Sequence, residues 1–349
     1  MSNTPNRILV IRMSAIGDVA MVIPVLYPIC RSYPDKEFTL ITSPLASQLY
    51  IDRPENLSIK AIDTKKQYKG IAGIFSLFKE LKKEKFDAVA DLHDVLRSKL
   101  LTLLFKLSFT KVATIDKGRK EKREITAENR QSFKQLKTSF ERYTDVFGAL
   151  GMQTSQKFNP LNAPSTLPDW LQRKKNDSTK WIGVAPFSKH TGKNYPLDKM
   201  LEVVSQLAKT DQYKIYLFGS PTDGKELDRW QDKEGKIVSL CNCKLGFKTE
   251  MALMTQLDAV ISMDSANMHI ATLMGTPVVS IWGATHPYTG FLGWGLGDES
   301  VIERKELECR PCSVFGNKPC RFGDYRCMDI APQTVINRVK EITEGREKR

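Results

Sequence analysis

Two doubly wound α/β domains in tandem are predicted for this chain, on three observations. Short apolar, β-branched runs alternate with helical stretches, which is the βα rhythm of a parallel sheet covered on both faces. A proline-bearing segment, "KFNPLNAPSTLPDW" over residues 157–170, interrupts that rhythm, which then restarts. The length, 349 residues, exceeds what a single hydrophobic core covers comfortably.

In order, "RILVIRM" reads as a strand, "SAIGD" as a glycine turn and "VAMVIPVLYPICRSYP" as a helix. "EFTLITSP" follows as a strand, "IFSLFKELKKEK" as a basic helix and "FDAVADLHD" as another strand. Beyond the linker, "WIGVAPFS", "YKIYLFGS", "KIVSLCN", "LDAVISMD" and "TPVVSIWG" are short apolar strands, with "LDKMLEVVSQLAKT" and "EMALMTQL" as helices between them. This divides the chain into a first domain over 1–165, a second over 166–331 carrying a Cys-rich segment at 309–327, and a C-terminal helix over 332–349 free to pack back on the first domain. The economical arrangement is two domains facing across a cleft. In open α/β sheets the ligand lies beyond the carboxyl ends of the strands.

Composition excludes several classes. With 41% hydrophobic and 27% charged residues the chain is an ordinary soluble protein. No apolar run approaches the roughly 20 residues that span a bilayer. "MSNTPNRILV" lacks a secretory pattern, which points to the cytoplasm. Net charge is +13, and residues 60–145 hold 21 Lys and Arg against 12 Asp and Glu. Such a field attracts polyanions: an anionic membrane surface, a phosphorylated substrate or nucleic acid. The competing reading is that "FKELKKEKF" and "KGRKEKRE" are solvated surfaces. Without an RNA-binding aromatic pattern or zinc-finger spacing, nucleic acid is not expected as a partner, though a basic nucleic-acid-binding protein is the alternative from another class. Four of the seven cysteines, Cys309, Cys312, Cys320 and Cys327, are spaced C-x2-C-x7-C-x6-C. That spacing is compatible with a structural Zn²⁺ or two disulfides, and in a cytoplasm zinc or free thiols are favoured. No His lies among them to activate a thiolate.

The densest chemistry is "MDSANMH". Asp264 stands where a strand ends and a helix begins, and the free N–H groups of a helix N-terminus suit a diphosphate. Ser265, Ala266 and Asn267 are small enough to let a ligand approach those amides. A simple cap explains one of these residues, at about 1 kcal/mol, but not His269 a turn later or the glycine turn "GTPVVSIWGATHP" downstream.

These residues, Asp264, Ser265, His269, Gly275, Pro277, Gly283 and Pro287, together with "RILVIRMSAIGDVAMVIPVL", resemble glycosyltransferase family 9, the lipopolysaccharide heptosyltransferases. "FDAVADLHDVLRSKLL", "GKNYP" and "LFGSPTDGKE" follow in the family's order, so the resemblance spans nearly the whole chain. It implies the glycosyltransferase B architecture, with the acceptor on the first domain and a nucleotide sugar on the second. It also implies inverting transfer with no metal required for catalysis, from ADP-heptose to a lipid A-linked core saccharide at the inner face of the cytoplasmic membrane. Asp18, on the first strand-to-helix turn, matches the family's catalytic Asp. Lys193 matches its phosphate-binding Lys, and Ser188 is close enough in sequence to add a hydroxyl. Donor contacts are expected from Asp264, Ser265, Ala266 and His269, and a ribose carboxylate from either Asp223 or Glu226. Asp91, His93 and Arg97, after a strand of the first domain, are candidates to meet an anionic acceptor sugar. A nucleotide-sugar 2-epimerase of the same fold is the alternative enzyme, and it would need no acceptor.

Overall fold

A computed structural model describes residues 4–163, 167–175 and 177–347. The domain boundary expected at 165/166 lies outside the described residues. The chain forms two compact units, one of residues 1–119 and 137–159, the other of residues 120–136 and 160–349. The segment 120–136, expected in the first domain, is therefore part of the second unit.

The first unit runs β1 (Arg7–Ile11), α1 (Ile16–Ala20), α2 (Ile23–Ser32), β2 (Glu37–Thr42), α3 (Pro44–Ser47), β3 (Leu57–Ala61), α4 (Gly70–Lys82), β4 (Ala88–Asp91), α5 (Leu96–Leu107) and β5 (Lys111–Thr114). The helix α6 (Arg119–Ile125) then passes into the second unit, and α7 (Ser139–Ala149) returns to the first. The sheet order is β3-β2-β1-β4-β5, and every pairing is parallel. Ile8, Leu9, Val10 and Ile11 of β1 are all fully buried, as expected of a central parallel strand covered on both faces.

In the second unit the order along the chain is β6 (Lys180–Ala185), α8 (Leu197–Ala208), β7 (Tyr213–Leu217), α9 (Gly224–Leu227), β8 (Ile237–Ser239), α10 (Gly246–Met254), β9 (Ala259–Met263), α11 (Ala266–Leu273), β10 (Val278–Trp282), β11 (Val301–Glu303) and α12 (Pro332–Glu347). Its six parallel strands are ordered β11-β10-β9-β6-β7-β8. Counted within each unit, both sheets place the fourth strand beside the first, so the connections leave in opposite directions from the β1/β4 and β6/β9 junctions. At such a switch point the loops diverge and open a crevice at the carboxyl ends of the strands.

The C-terminal helix departs from the expectation that it packs on the first domain. Val335, Ile336 and Val339 of α12 belong to the core of the second unit, with Ile261, Val279 and Met200. The apolar stripe of α12 is thus spent on α8, β9 and β10. Val339 is fully buried, so Val339→Asp is expected to cost roughly 3–5 kcal/mol by placing a carboxylate in that core. An unchanged melting temperature would contradict this placement.

Candidate active site

The first switch point gathers charge. β1 ends at Ile11, and the next residue, Arg12, is 5% exposed. Its Nη1 donates to the Leu92 carbonyl at 2.6 Å and its Nη2 meets Asp18 Oδ2 at 2.5 Å. Burial works against the guanidinium charge, but Tyr143, Asp18 and Asp91 more than offset it and raise its pKa. Asp18 lies in the first turn of α1, where its Oδ2 also accepts from the Ala15 N–H at 3.3 Å. Its capping role and its pairing with Arg12 therefore coexist, and the side chain keeps 30% of its surface exposed. The Tyr143 hydroxyl donates to the Asp18 carbonyl at 3.3 Å and fixes the turn from α7.

Across the junction, Asp91 ends β4. It is fully buried, and its Oδ1 accepts from the His93 and Asp94 N–H groups at 2.8 and 3.0 Å. Asp91 therefore shapes the loop that carries His93. His93 faces the β1 loop: Met13 N–H donates to Nδ1 at 3.4 Å, and Nε2 lies 3.5 Å from Ser14 Oγ. Burial, with Arg12 and Lys117 beside it, pushes the His93 pKa down to about 3. The ring is neutral at pH 7, and with Nδ1 accepting, its proton sits on Nε2. Arg97 is exposed in the first turn of α5. Arg12, Lys117 and Arg119 add to a cationic surround that sequence reading did not assign to the site. Arg12 was hidden because it directly follows an apolar strand; a charge at that position was the available signal.

The second switch point repeats the plan. After β6, the turn Thr191–Lys193 brings Lys193 Nζ to Asp264 Oδ2, after β9, at 2.8 Å. Both side chains are largely buried, at 15% and 5% exposed. Ser188 is on the same loop; its N–H donates to Asn194 Oδ1 at 2.7 Å and its hydroxyl to the His190 carbonyl at 3.2 Å. Ser265 stands at the N-cap of α11 without a side-chain capping bond, and Ser265, Ala266 and Asn267 are half-exposed. The leading amides of α11 thus point from an accessible helix end, beside a lysine, which is chemistry suited to a phosphate. His269 is 6% exposed one turn further in. It occupies an interior position of the helix, one turn behind its open end.

Of the two ribose candidates on the loop after β7, Asp223 uses Oδ2 to accept from the Ser220 N–H and hydroxyl at 2.7 and 2.6 Å. Glu226 receives the Trp230 indole N–H at 3.1 Å on Oε1, with Arg229 3.8 Å from Oε2. Both carboxylates hold partners on their own loop, and both are half-exposed.

The Cys-rich segment serves this loop. Gly192 N–H donates to the Gly316 carbonyl, and Ala284 N–H donates to the Gly192 carbonyl at 2.9 Å. A Cβ on Gly192 would meet Ala284 Cβ and Gly316 O at 2.9 Å, and one on Gly316, whose φ is +71°, would meet Lys193 Cγ at 2.6 Å. Arg310, between Cys309 and Cys312, donates to the carbonyls of Trp282, Gly283 and Thr285 and pairs with Glu303 at 2.7 Å. Glu303 also meets His286 Nε2 at 3.2 Å. His286 Nδ1 accepts from Tyr288 N–H, so Nε2 carries the proton, and burial, with Arg310 and Arg130, lowers its pKa to about 3. The four cysteines are free thiols lining one small cavity with Arg310, Arg321 and Arg326. Burial pushes Cys327 up to about 11. Among the described residues, no three His, Cys, Asp or Glu side chains are grouped as ligands of a metal ion.

The profile of glycosyltransferase family 9 (heptosyltransferase) matches residues 74–325. The chain belongs to glycosyltransferase family 9. The lipopolysaccharide core heptosyltransferase OpsX of Haemophilus influenzae is 26% identical over 305 residues, 82% of this chain and 81% of its own. The family 9 glycosyl transferase of Veillonella parvula superposes with a TM-score of 0.74 at 19% identity, over 97% of this chain and 98% of its own. The E. coli ADP-heptose lps heptosyltransferase II does so with 0.67 at 20%, over 98% and 99%. At such identities the structures speak to the fold, which is the glycosyltransferase B fold of family 9, while the family match makes the chain a glycosyltransferase.

If Gly316 holds the Lys193 loop of this glycosyltransferase in place, Gly316→Ala is expected to weaken binding of a nucleoside diphosphate roughly tenfold, since it adds both a strained φ and a clash with Lys193. Calorimetric titration checks this, and wild-type affinity in the folded variant would refute it. A second expectation concerns pH. His93 and His286 are held near 3 in the fold against about 6.5 unfolded. The unfolded chain therefore binds protons that the folded chain refuses, and stability falls as pH drops from about 6.5 towards 3, by on the order of 1–2 kcal/mol per histidine at pH 5. Denaturant titrations of the His93→Gln/His286→Gln protein should show a shallower pH slope; an identical slope contradicts the assignment.

Proposed function

We propose that this enzyme transfers a heptosyl group from ADP-heptose to the core saccharide of a lipid-linked lipopolysaccharide acceptor, with inversion, at the inner face of the cytoplasmic membrane. The observation that carries the reading is Lys193, held by Asp264 beside the uncapped N-terminus of α11, which puts an ammonium and free helix amides together at a switch point. The names of relatives support the sugar and acceptor: OpsX is a lipopolysaccharide core heptosyltransferase, and a structural neighbour is named for ADP-heptose.

In this reading Asp18 takes the proton of the acceptor hydroxyl as the hydroxyl oxygen attacks the anomeric carbon. The bond from that carbon to the diphosphate oxygen breaks, and ADP leaves from the opposite face, which inverts the centre. Charge developing on the leaving diphosphate is met by Lys193 as a point charge and by the α11 amides. Those groups supply the positive charge that a metal ion supplies in other transferases, so the reading assigns no catalytic ion, and turnover should survive EDTA. Asp223 or Glu226 is the ribose carboxylate. The cations Arg97 and Lys117, with the neutral His93 ring as a hydrogen-bonding group, receive anionic groups of the acceptor, and the Cys309, Cys312, Cys320 and Cys327 segment has a structural role.

Asp18→Asn keeps the shape and removes the base, and is expected to cut kcat by about 10² to 10⁴ with donor affinity little changed. Lys193→Ala is expected to weaken donor binding and slow transfer together. Near wild-type turnover of Asp18→Asn on a core saccharide acceptor at pH 7 would remove the proposed base and reduce Asp18 to a helix cap.

A further inference from the structure

The helix α5 is apolar on two opposite sides. Ser98, Leu101, Thr102 and Phe105 form its buried side. At about 100° per residue, Leu96, Leu100, Leu103 and Leu107 fall within one sector of about 60° on the other side. That second stripe faces water: Leu96 is 85% exposed and Leu107 70%, with Leu103 exposed and Leu100 half-buried. In the turn that follows, Phe109 is 99% exposed. Isolated exposed apolar residues are ordinary, but an aligned row ending in a bare aromatic is not. The adjacent α4, whose Phe78 ring packs edge-on against Phe105 at 5.1 Å, exposes Ile71 and Phe75 as well.

Charge selects the occupant. Residues 96–107, "LRSKLLTLLFKL", hold three cations and no carboxylate. On the wheel, Lys99 and Lys106 flank one border of the stripe and Arg97 the other. Lys99 lies 3.4 Å from the buried Asp94 yet remains 58% exposed. An apolar row bordered by lysines is the pattern that seats in the headgroup and acyl boundary of an anionic bilayer. In the basic run at 117–123, Lys122 is buried with its ammonium 4.1 Å from the Phe291 ring centre, while Arg119, Lys120 and Arg123 stay exposed and add to the positive field.

We propose that α5 and Phe109 form a membrane-docking face that seats in an anionic phospholipid bilayer. α5 begins two residues after Asp94, at the loop carrying His93, so docking would bring a lipid-linked acceptor to that loop. The proposal rests on the glycosyltransferase reading only for what the bilayer delivers.

The test uses the full chain and vesicles of equal parts phosphatidylcholine and phosphatidylglycerol, with pure phosphatidylcholine vesicles for comparison. Wild type is expected to sediment with the anionic vesicles, and Leu103→Ser/Leu107→Ser/Phe109→Ser to lose about tenfold in partitioning with an unchanged melting temperature. Lys99→Gln/Lys106→Gln should bind more weakly and with less dependence on salt. Equal sedimentation of the triple variant and wild type overturns the proposal. So does a wild type that dimerises in sedimentation velocity through this face, with a monomeric triple variant that still binds vesicles. Transfer to a deacylated, water-soluble core acceptor should be equal in wild type and triple variant. If wild type fails there, the glycosyltransferase reading falls while the vesicle result stands on its own.

Discussion

The strand order is the constraint on which the rest depends. Parallel sheets that place the first and fourth strands side by side force the connections at that junction to leave in opposite directions, so one gap opens at the carboxyl ends of the strands. Both units have that order. In each, the loop after the first strand and the loop after the fourth supply opposing or complementary groups: Arg12 and Asp18 facing the His93 loop in one, Lys193 facing Asp264 in the other. In the second unit the backbone topology brings Lys193 and Asp264 close enough to complete an ion pair; in the first the pair, Arg12–Asp18, lies within one loop, and the junction is crossed by the hydrogen bond from Arg12 to the Leu92 carbonyl.

Holding those pairs takes a supporting layer, and in the second unit the Cys-rich segment provides it. Arg310 satisfies three loop carbonyls and is itself neutralised by buried Glu303. A buried ion pair adds little net stability, yet breaking it by removing one partner costs about 3–5 kcal/mol, so it fixes one loop conformation firmly. Gly192, Ala284 and Gly316 meet backbone to backbone with no room for a Cβ at either glycine. The segment whose cysteine spacing is compatible with zinc or disulfides also contributes to the mounting of Lys193.

Much of this was legible in the sequence, for physical reasons. Buried parallel strands are short apolar runs, and small or charged residues at their ends mark the loops, so the βα rhythm, Asp18, Asp264 and Ser265 stand out in the sequence, while Lys193 came from the resemblance to the family. What the sequence did not separate was which polar residue faces outward. Asp91 and Asp223 have the same chemistry as useful ligands, but each spends an oxygen on the N–H groups of its own turn. His269 sits at the right spacing and on the interior side of α11. Arg12 was missed because a cation at the end of an apolar strand declares itself only through the partner it finds. On the surface, the run of basic residues at 117–123 drew attention and the apolar stripe of α5 did not, because periodicity alone does not say which of two apolar faces is inside.

The most direct test of the account is hydrogen exchange of the full chain, read by mass spectrometry, with and without ADP. A diphosphate seated at the switch point of the second unit should slow exchange in residues 190–194 and 264–268, the Lys193 loop and the leading amides of α11, and leave the edge strands β8 and β11 unchanged. Saturating ADP that leaves the 264–268 amides unprotected, or protects the sheet edges instead, would contradict it.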